Sequence, residues 1–173
     1  MPITPFHMGP GLLVKAVGGR HVSLMVFGFS QVAMDIEPVV RMIRNDVVLH
    51  GFVHTYLGAT VIGLVSAVVG RPICQALLDR WAPDAQAAFE TWLRGPERIS
   101  WPAAVVGALV GTYSHVLLDS IMHSDLQPLA PFPGANALLA VVSSGALHVG
   151  CLLSGVLGVL VGVTVFIRRR ATD

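Results

Sequence analysis

Charged side chains are scarce in this sequence of 173 residues. Asp, Glu, Lys and Arg make up 12% of it, against roughly 25% in an ordinary soluble domain. The 11 basic and 10 acidic residues nearly cancel, so the chain has no excess positive charge for binding nucleic acid through its phosphates. Because 54% of the residues are hydrophobic, intrinsic disorder is excluded. The composition indicates a membrane protein.

Cysteine is also nearly absent. Cys74 and Cys151 are the two cysteines and form no Cys-x-x-Cys pair, which argues against a disulfide framework or a zinc ribbon. The sequence contains neither a Gly-x-Ser-x-Gly motif nor a Walker-type loop. Serine hydrolase and nucleoside triphosphatase activities therefore have no support.

Long runs without charge define the predicted fold. A helix of about 20 apolar residues crosses the roughly 30 Å hydrocarbon core of a membrane. We expect an all-α polytopic membrane protein with one domain over residues 1–173. Its four transmembrane helices are predicted at about 17–37, 51–70, 101–121 and 137–167. Residues 71–100 have apolar side chains at helical spacing and predict an interfacial amphipathic linker.

The distribution of Lys and Arg predicts the orientation. With four helices, residues 1–20, 71–100 and 168–173 share one side and contain nine basic residues, whereas the other side has only Arg41 and Arg44. The positive-inside rule then places both termini in the cytoplasm. A cleaved signal peptide is the alternative for the N-terminal region, but a cut after Ala33 would leave Gln31 where a small residue is required.

Ionisable side chains within a membrane are costly, so each one points to a function. On the predicted topology, seven lie near the extracytoplasmic ends of the first three helices: Asp35, Glu37, His50, His54, His115, Asp119 and His123. The spacing of four residues predicts that His50 and His54 share one helix face, as do His115 and Asp119. Imidazole and carboxylate together suit Zn²⁺, with Mn²⁺ or Fe²⁺ as alternatives.

The spacing therefore predicts a metal site whose candidate ligands are Asp35, His50, His54, His115 and Asp119, with Glu37, His123 and His7 as further candidates. Asp35 and Glu37 are two residues apart and face opposite ways if both are helical. We expect Asp35 to point inward and the helix to end near Pro38. Gln31 should orient Asp35 through a hydrogen bond. Asp35 or Asp119 is the expected catalytic base. The spacing leaves one or two ions open, and a hydrogen-bonded helix-packing cluster or a proton relay are the alternatives.

Two other histidines have different expectations. His7 is predicted on the side opposite the cluster, and it reaches the site only if residues 4–18 form a re-entrant half-helix that turns at Gly18 and Gly19. His148 lies inside the fourth predicted helix, where we expect a structural hydrogen bond to a neighbouring helix. His123 is either a ligand or an interfacial residue beside Asp125.

The order of short motifs resembles a known family. Thr4-Pro-Phe-His7, Gln31-Val-Ala-Met-Asp35-Ile-Glu37, His50-Gly-Phe-Val-His54-Thr and Gly111-Thr-Tyr-Ser-His115-Val-Leu-Leu-Asp119 together resemble the YdjM-type inner-membrane metal-dependent hydrolases. The resemblance implies a small protein of the bacterial inner membrane and assigns ligand roles to His50, His54, His115, Asp119 and Asp35. Pro38 stands where many relatives have a histidine, which disfavours a two-metal arrangement.

We therefore expect a zinc-dependent membrane hydrolase. Its substrate would be an ester or phosphoester, such as that of a membrane lipid whose headgroup reaches the site laterally, at the extracytoplasmic face. The alternatives are a metal or proton transporter and a non-catalytic membrane protein in which a structural metal joins the helices.

Overall fold

The structure is a computed structural model that describes residues 5–81 and 98–170, and this part of the chain is all-helical. Its α-helices are α1 (Met8–Gly18), α2 (Leu24–Ile43), α3 (Tyr56–Val65), α4 (Arg71–Trp81), α5 (Trp101–Met122) and α6 (Ser144–Arg170). Single 3₁₀ turns occur at Pro5–His7, Gly19–His21 and Phe52–His54, and a π-helical turn at Ser66–Gly70 joins α3 to α4.

Three helices are long and apolar enough to cross a membrane. They are the continuous helix Tyr56–Arg80, Trp101–Met122 and Ser144–Val165. Large apolar side chains remain exposed along them, among them Leu64 and Leu157, each with an exposed fraction of 50%. Such faces suit lipid as the surrounding medium. These helices indicate a membrane protein, and α2 does not meet the same criterion because it contains Asp35, Glu37 and Arg41.

The first predicted helix, over residues 17–37, is wrong in its bounds. The chain turns between Gly18 and Leu24, and Gly19 has a φ of +51°, a region that favours glycine. The ammonium group of buried Lys15 donates to the carbonyl oxygens of Gly19 at 3.0 Å and Val22 at 2.9 Å. These bonds hold the turn after α1 and add to the longer bond from the Val22 N–H to the Gly19 carbonyl oxygen at 3.4 Å.

The short α1 helix is followed by a turn at Gly19–His21 and packs on α6 in parallel. Gly9 lies against Cys151 so closely that a Cβ would overlap the Cys151 carbonyl, and Leu12 lies against Gly158 one turn further along. The beginning of α1 therefore lies at the same end of the bundle as the beginning of α6. The described N-terminal residues therefore lie at the other end of α6 from Arg168, and the cytoplasmic location of both termini stays a prediction.

Other boundaries also differ from the prediction. The helix predicted at 51–70 begins at Tyr56, where Thr55 caps it by accepting a hydrogen bond from the Gly58 backbone N–H at 2.9 Å. It continues to Trp81, so residues 71–81 extend the long helix, and residues 82–97 of the predicted interfacial linker lie outside the described residues. The helix predicted at 101–121 matches α5. The helix predicted at 137–167 begins later, at Ser144, and ends at Arg170.

Close contact between α2 and α5 positions the polar cluster. A Cβ at Gly111 would overlap the Ser30 hydroxyl group, so glycine is required for this approach. Met34 and Val116 are fully buried between the neighbouring helices. This packing places the polar side chains in the second half of α2 opposite those in the second half of α5.

Candidate metal centre

Five ligand-type side chains meet where α1, α2, α5 and the turn before α3 come together. His7, Asp35, His54, His115 and Asp119 are all buried, with exposed fractions of 8% or less. Asp119 lies at the centre: its Oδ1 is 3.5 Å from Nε2 of His7, and its Oδ2 is 3.1 Å from Nε2 of His115 and 3.7 Å from Nε2 of His54. Nε2 of His115 is also 3.5 Å from Oδ1 of Asp35.

The tautomer of His115 is fixed by Gln31. The amide nitrogen of Gln31 donates to the carbonyl oxygen of Gly111 at 3.0 Å, which directs the amide oxygen toward His115. That oxygen lies 2.6 Å from Nδ1 of His115 and can only accept a hydrogen bond. Nδ1 therefore carries the proton, and the lone pair of Nε2 points at the carboxylates. Gln31 was expected to orient Asp35, and that expectation is wrong.

His54 is held in the same way by Glu37. Its Nδ1 donates to Oε2 of Glu37 at 3.3 Å, and the same oxygen accepts the backbone N–H groups of Gly51 at 3.1 Å and Val53 at 3.2 Å. Arg41 pairs with the other carboxylate oxygen at 3.2 Å. Glu37 therefore positions a ligand-type histidine. The predicted helix end at Pro38 is wrong, because α2 continues through it to Ile43.

The arrangement fits a divalent cation. Nε2 of His54 and Nε2 of His115 are buried and have no hydrogen-bond partner. Lone pairs that face a carboxylate repel it unless a proton or a cation lies between them. Four ligands at about 2.05 Å from one zinc ion in a tetrahedron are about 3.3 Å apart, and the four contacts around Asp119 and His115 measure 3.1 to 3.7 Å. A divalent cation held by one set of three, such as His7, His115 and Asp119, would neutralise the buried carboxylate and occupy the lone pair of His115.

A second group of ligand-type atoms adjoins the first. Nδ1 of His50 is 2.9 Å from Oδ1 of Asp125, and the rings of His50 and His123 are 4.2 Å apart. His50 also stacks edge-on against His54 at 4.8 Å. Within the described residues, atoms of His50, His54 and Asp119 lie close enough to share an ion, as do those of His7, His115 and Asp119. Asp119 belongs to both of these sets, and His50, His123 and Asp125 form a third, so the geometry leaves one or two ions open.

Asp125 was not predicted as part of the site. Its Oδ2 accepts the backbone N–H groups of Leu49 at 2.9 Å and His50 at 3.1 Å. Burial raises the pKa of this carboxyl group, but the hydrogen bonds from His50 and Leu49 outweigh burial and set the pKa at about 2. Asp125 is therefore ionised at neutral pH and holds the His50 ring in place.

His50 and His54 are not on one helix, which corrects the predicted spacing argument. Residues 44–55 form turns and a short 3₁₀ helix, and the two imidazoles approach because Glu37 and Asp125 bind their backbone and rings. His7 reaches the cluster through the short α1 helix, and its ring is 4.7 Å from that of His115. His148, for which a structural hydrogen bond was expected, contacts the ring of Phe6 at 4.7 Å.

Two recesses border residues at the edge of the cluster. Asp35 borders a recess of about 250 Å³ whose other walls are the apolar side chains of Val32, Ile36, Val39 and Val40 on α2. His50 and Asp125 border a cavity of about 560 Å³ beside the loop that follows α5. The first recess is apolar apart from the carboxylate of Asp35, whereas the second contains polar groups such as Thr55 and Gln127.

Comparison with protein-family models, curated proteins and solved structures gives no match. The resemblance to the YdjM-type hydrolases therefore stays a prediction from the short motifs. The buried His and Asp groups described above can hold a metal ion, and this is the chemical property from which a function can be argued.

Proposed function

We propose that the protein is a membrane-embedded metal-dependent hydrolase of the bacterial inner membrane that acts on an ester or phosphoester of a membrane lipid. One observation carries the proposal: the Nε2 atoms of His54 and His115 are buried, lack hydrogen-bond partners and face the carboxylate of Asp119. In a helix-packing cluster, these nitrogens would be expected to form hydrogen bonds. The resemblance of the motifs to the YdjM-type family supports the same conclusion.

The residues divide into two roles. Asp119 lies between His7, His54 and His115, which suits a ligand, and imidazole with carboxylate suits Zn²⁺. A divalent ion bound there would polarise an ester or phosphoester oxygen and activate a water molecule. Asp35 contacts His115 at the edge of the cluster and borders the recess on α2. We assign Asp35 as the general base because it lies between the proposed ion site and an approach from outside.

The apolar recess beside Asp35 favours a lipid as substrate. Ile36 is 59% exposed and Val32 is 62% exposed on this face of α2, so the approach to Asp35 lies among side chains suited to the hydrocarbon region. A lipid ester could enter there laterally. We further propose that the arginine-rich end of α6 is cytoplasmic, which places the metal centre toward the extracytoplasmic face.

The test combines metal analysis with a lipid assay. Protein purified in detergent should contain a stoichiometric divalent metal and hydrolyse lipid phosphoesters, and the double variant His54→Ala with His115→Ala should lose both properties. His21→Ala is the matched control, since His21 is exposed and distant in sequence from the cluster. Unchanged metal content in the double variant would reject the proposal.

The same preparation separates the alternatives. Metal-dependent ion flux into proteoliposomes without lipid hydrolysis would favour a transporter. Metal binding that stabilises the fold but is accompanied by neither flux nor hydrolysis would favour a structural metal. Hydrolysis that is lost in Asp35→Asn while the metal content stays unchanged would support the assignment of Asp35 as the base.

A further inference from the structure

A groove lies between α2 and α3 and shares Ile36 and Val40 with the recess beside Asp35. Its volume is about 680 Å³, and its apolar wall includes Phe29, Ile36, Val40, Ile62, Val65 and Val69. Val65 is 51% exposed and Val69 is 46% exposed, so these side chains face the surroundings of the protein. The groove therefore offers an apolar surface that a membrane lipid can cover.

The length of the groove matches one membrane leaflet. From Phe29 to Val40 the wall follows eleven residues of α2, which corresponds to about 16 Å at a rise of about 1.5 Å per residue. The hydrocarbon core is about 30 Å thick, so the apolar wall covers about half of it. Four charged residues also line the groove. Arg41, Arg44 and Asp46 come after Val40 in the sequence, near the end of α2, and Glu37 comes before it.

These charges include both signs. Glu37 and Arg41 form an ion pair at 3.2 Å and neutralise each other. Arg44 and Asp46 also line the groove and are exposed, and neither side chain has an ion-pair partner among the described residues. The mouth of the groove therefore presents one positive and one negative charge that are available to a ligand.

We infer that this groove binds a glycerophospholipid with a zwitterionic headgroup. The guanidinium group of Arg44 would bind the phosphate, for which its planar donors are suited, and the carboxylate of Asp46 would bind the ammonium group. One acyl chain would lie along Ile36, Ile62 and Val65. A headgroup with a phosphate alone would leave Asp46 facing an anion, which disfavours it.

The bound lipid would lie next to the proposed metal centre. Glu37 lines the groove and also accepts the hydrogen bond of His54 Nδ1. The identification of this lipid as the substrate rests on the proposed hydrolase function. The binding itself depends on Arg44, Asp46 and the apolar wall, and it can be measured without turnover.

Native mass spectrometry of the full chain in detergent tests the binding. The probes are phosphatidylethanolamine and phosphatidylglycerol with the same acyl chains. We expect preferential retention of phosphatidylethanolamine. Arg44→Ala should weaken retention of both lipids by about tenfold, as expected for loss of a charge-assisted hydrogen bond. Asp46→Asn should lower phosphatidylethanolamine retention to the level of phosphatidylglycerol. Arg20→Ala, at an exposed residue before α2, should leave the retention of both lipids unchanged.

A second variant tests the apolar wall. Val65→Trp fills the groove from an exposed position, so it should reduce retention of both lipids while the protein stays monodisperse in size-exclusion chromatography. Equal retention of the two lipids by the parent protein and all variants would mean that lipid only coats the surface, and it would overturn the inference.

The two proposals fail separately. One outcome is that the variant with His54→Ala and His115→Ala retains phosphatidylethanolamine selectively while the parent protein contains no metal. That result would support lipid binding in the groove and reject the hydrolase. If the parent protein contains metal and hydrolyses lipid but Arg44→Ala and Asp46→Asn retain phosphatidylethanolamine like the parent, the hydrolase stands and the groove is rejected.

Discussion

The side-chain oxygen of Gln31 on α2 lies 2.6 Å from Nδ1 of His115 on α5. Through this contact a residue that cannot reach the proposed ion determines which imidazole nitrogen faces it. Hydrogen-bond partners of this kind typically contribute a factor of 10 to 100 in metal affinity. Mutation of Gln31 can therefore test the centre in the same way as mutation of a ligand.

Gln31→Leu should lower the affinity for zinc by about 10- to 100-fold, because Nδ1 of His115 loses its acceptor and the ring is no longer held in one tautomer. Gln31→Glu preserves an acceptor and should retain more affinity. Competition titration with a zinc indicator measures both variants. Equal zinc affinity for Gln31→Leu and the parent protein would contradict this role.

Glu37→Ala should also weaken zinc binding by about 10- to 100-fold, since Glu37 accepts hydrogen bonds from the ring of His54 and from the backbone of Gly51 and Val53. Hydrogen exchange at residues 51–53 should accelerate in the same variant, because those N–H groups lose their acceptor. Glu37→Gln, which keeps an oxygen acceptor, is the control. Unchanged exchange and affinity would show that Glu37 does not hold this turn.

Chelation should destabilise the protein. A ligand present at 100 times its dissociation constant stabilises the folded state by about 2.7 kcal/mol, so removal of the metal should lower the melting temperature. Asp119→Ala should melt at the same temperature with and without the chelator, because Asp119 belongs to both candidate sets whose residues are all buried. The third set, His50, His123 and Asp125, is only partly buried. A chelator effect of equal size in Asp119→Ala would place the bound metal elsewhere.

Lys15→Met should destabilise the fold by about 1 to 3 kcal/mol, because the carbonyl oxygens of Gly19 and Val22 lose a donor. Thermal unfolding in detergent measures the change. Arg20→Met removes a positive charge from an exposed position in the same turn and should change stability by less than about 0.5 kcal/mol. Similar losses in both variants would mean that charge, and not these two hydrogen bonds, matters there.

Gly111→Ala should separate α2 from α5, since the added Cβ would overlap the Ser30 hydroxyl group. We expect a lower melting temperature together with weaker zinc binding, because this contact aligns Gln31 with His115. Gly134→Ala is the matched control, as a Cβ there meets no atom within 4 Å. If Gly111→Ala binds zinc as the parent does, the contact between the helices does not position the centre.

The ligand-type residues could be predicted from the sequence because burying ionisable groups among apolar runs is costly. Spacing also predicted α5 and the pairing of His115 with Asp119. The partners of Gln31 and Glu37 could not be predicted, because they depend on how α2 packs against α5 and against the turn before α3. Pro38 was taken as a helix end, yet a proline removes only one backbone hydrogen bond and α2 continues for five residues beyond it.

Asp125 shows a different limit. It lies in a loop, and no periodic pattern links it to Leu49 and His50, whose backbone it binds across 75 and 76 residues of sequence. The short α1 helix was predicted only as a condition for His7 to reach the site. The turn that follows α1 is held by the ammonium group of Lys15, which binds its carbonyl oxygens. The count of basic residues had placed this charge at the membrane surface.

The parallel packing of α1 on α6 has a consequence for biosynthesis. The α1 helix has its principal neighbour in α6, which is synthesised later, so His7 is not held beside Asp119 until α6 has formed. The nascent chain would thus insert with an incomplete coordination sphere. Loading of the proposed ion would then follow the docking of α6 against α1.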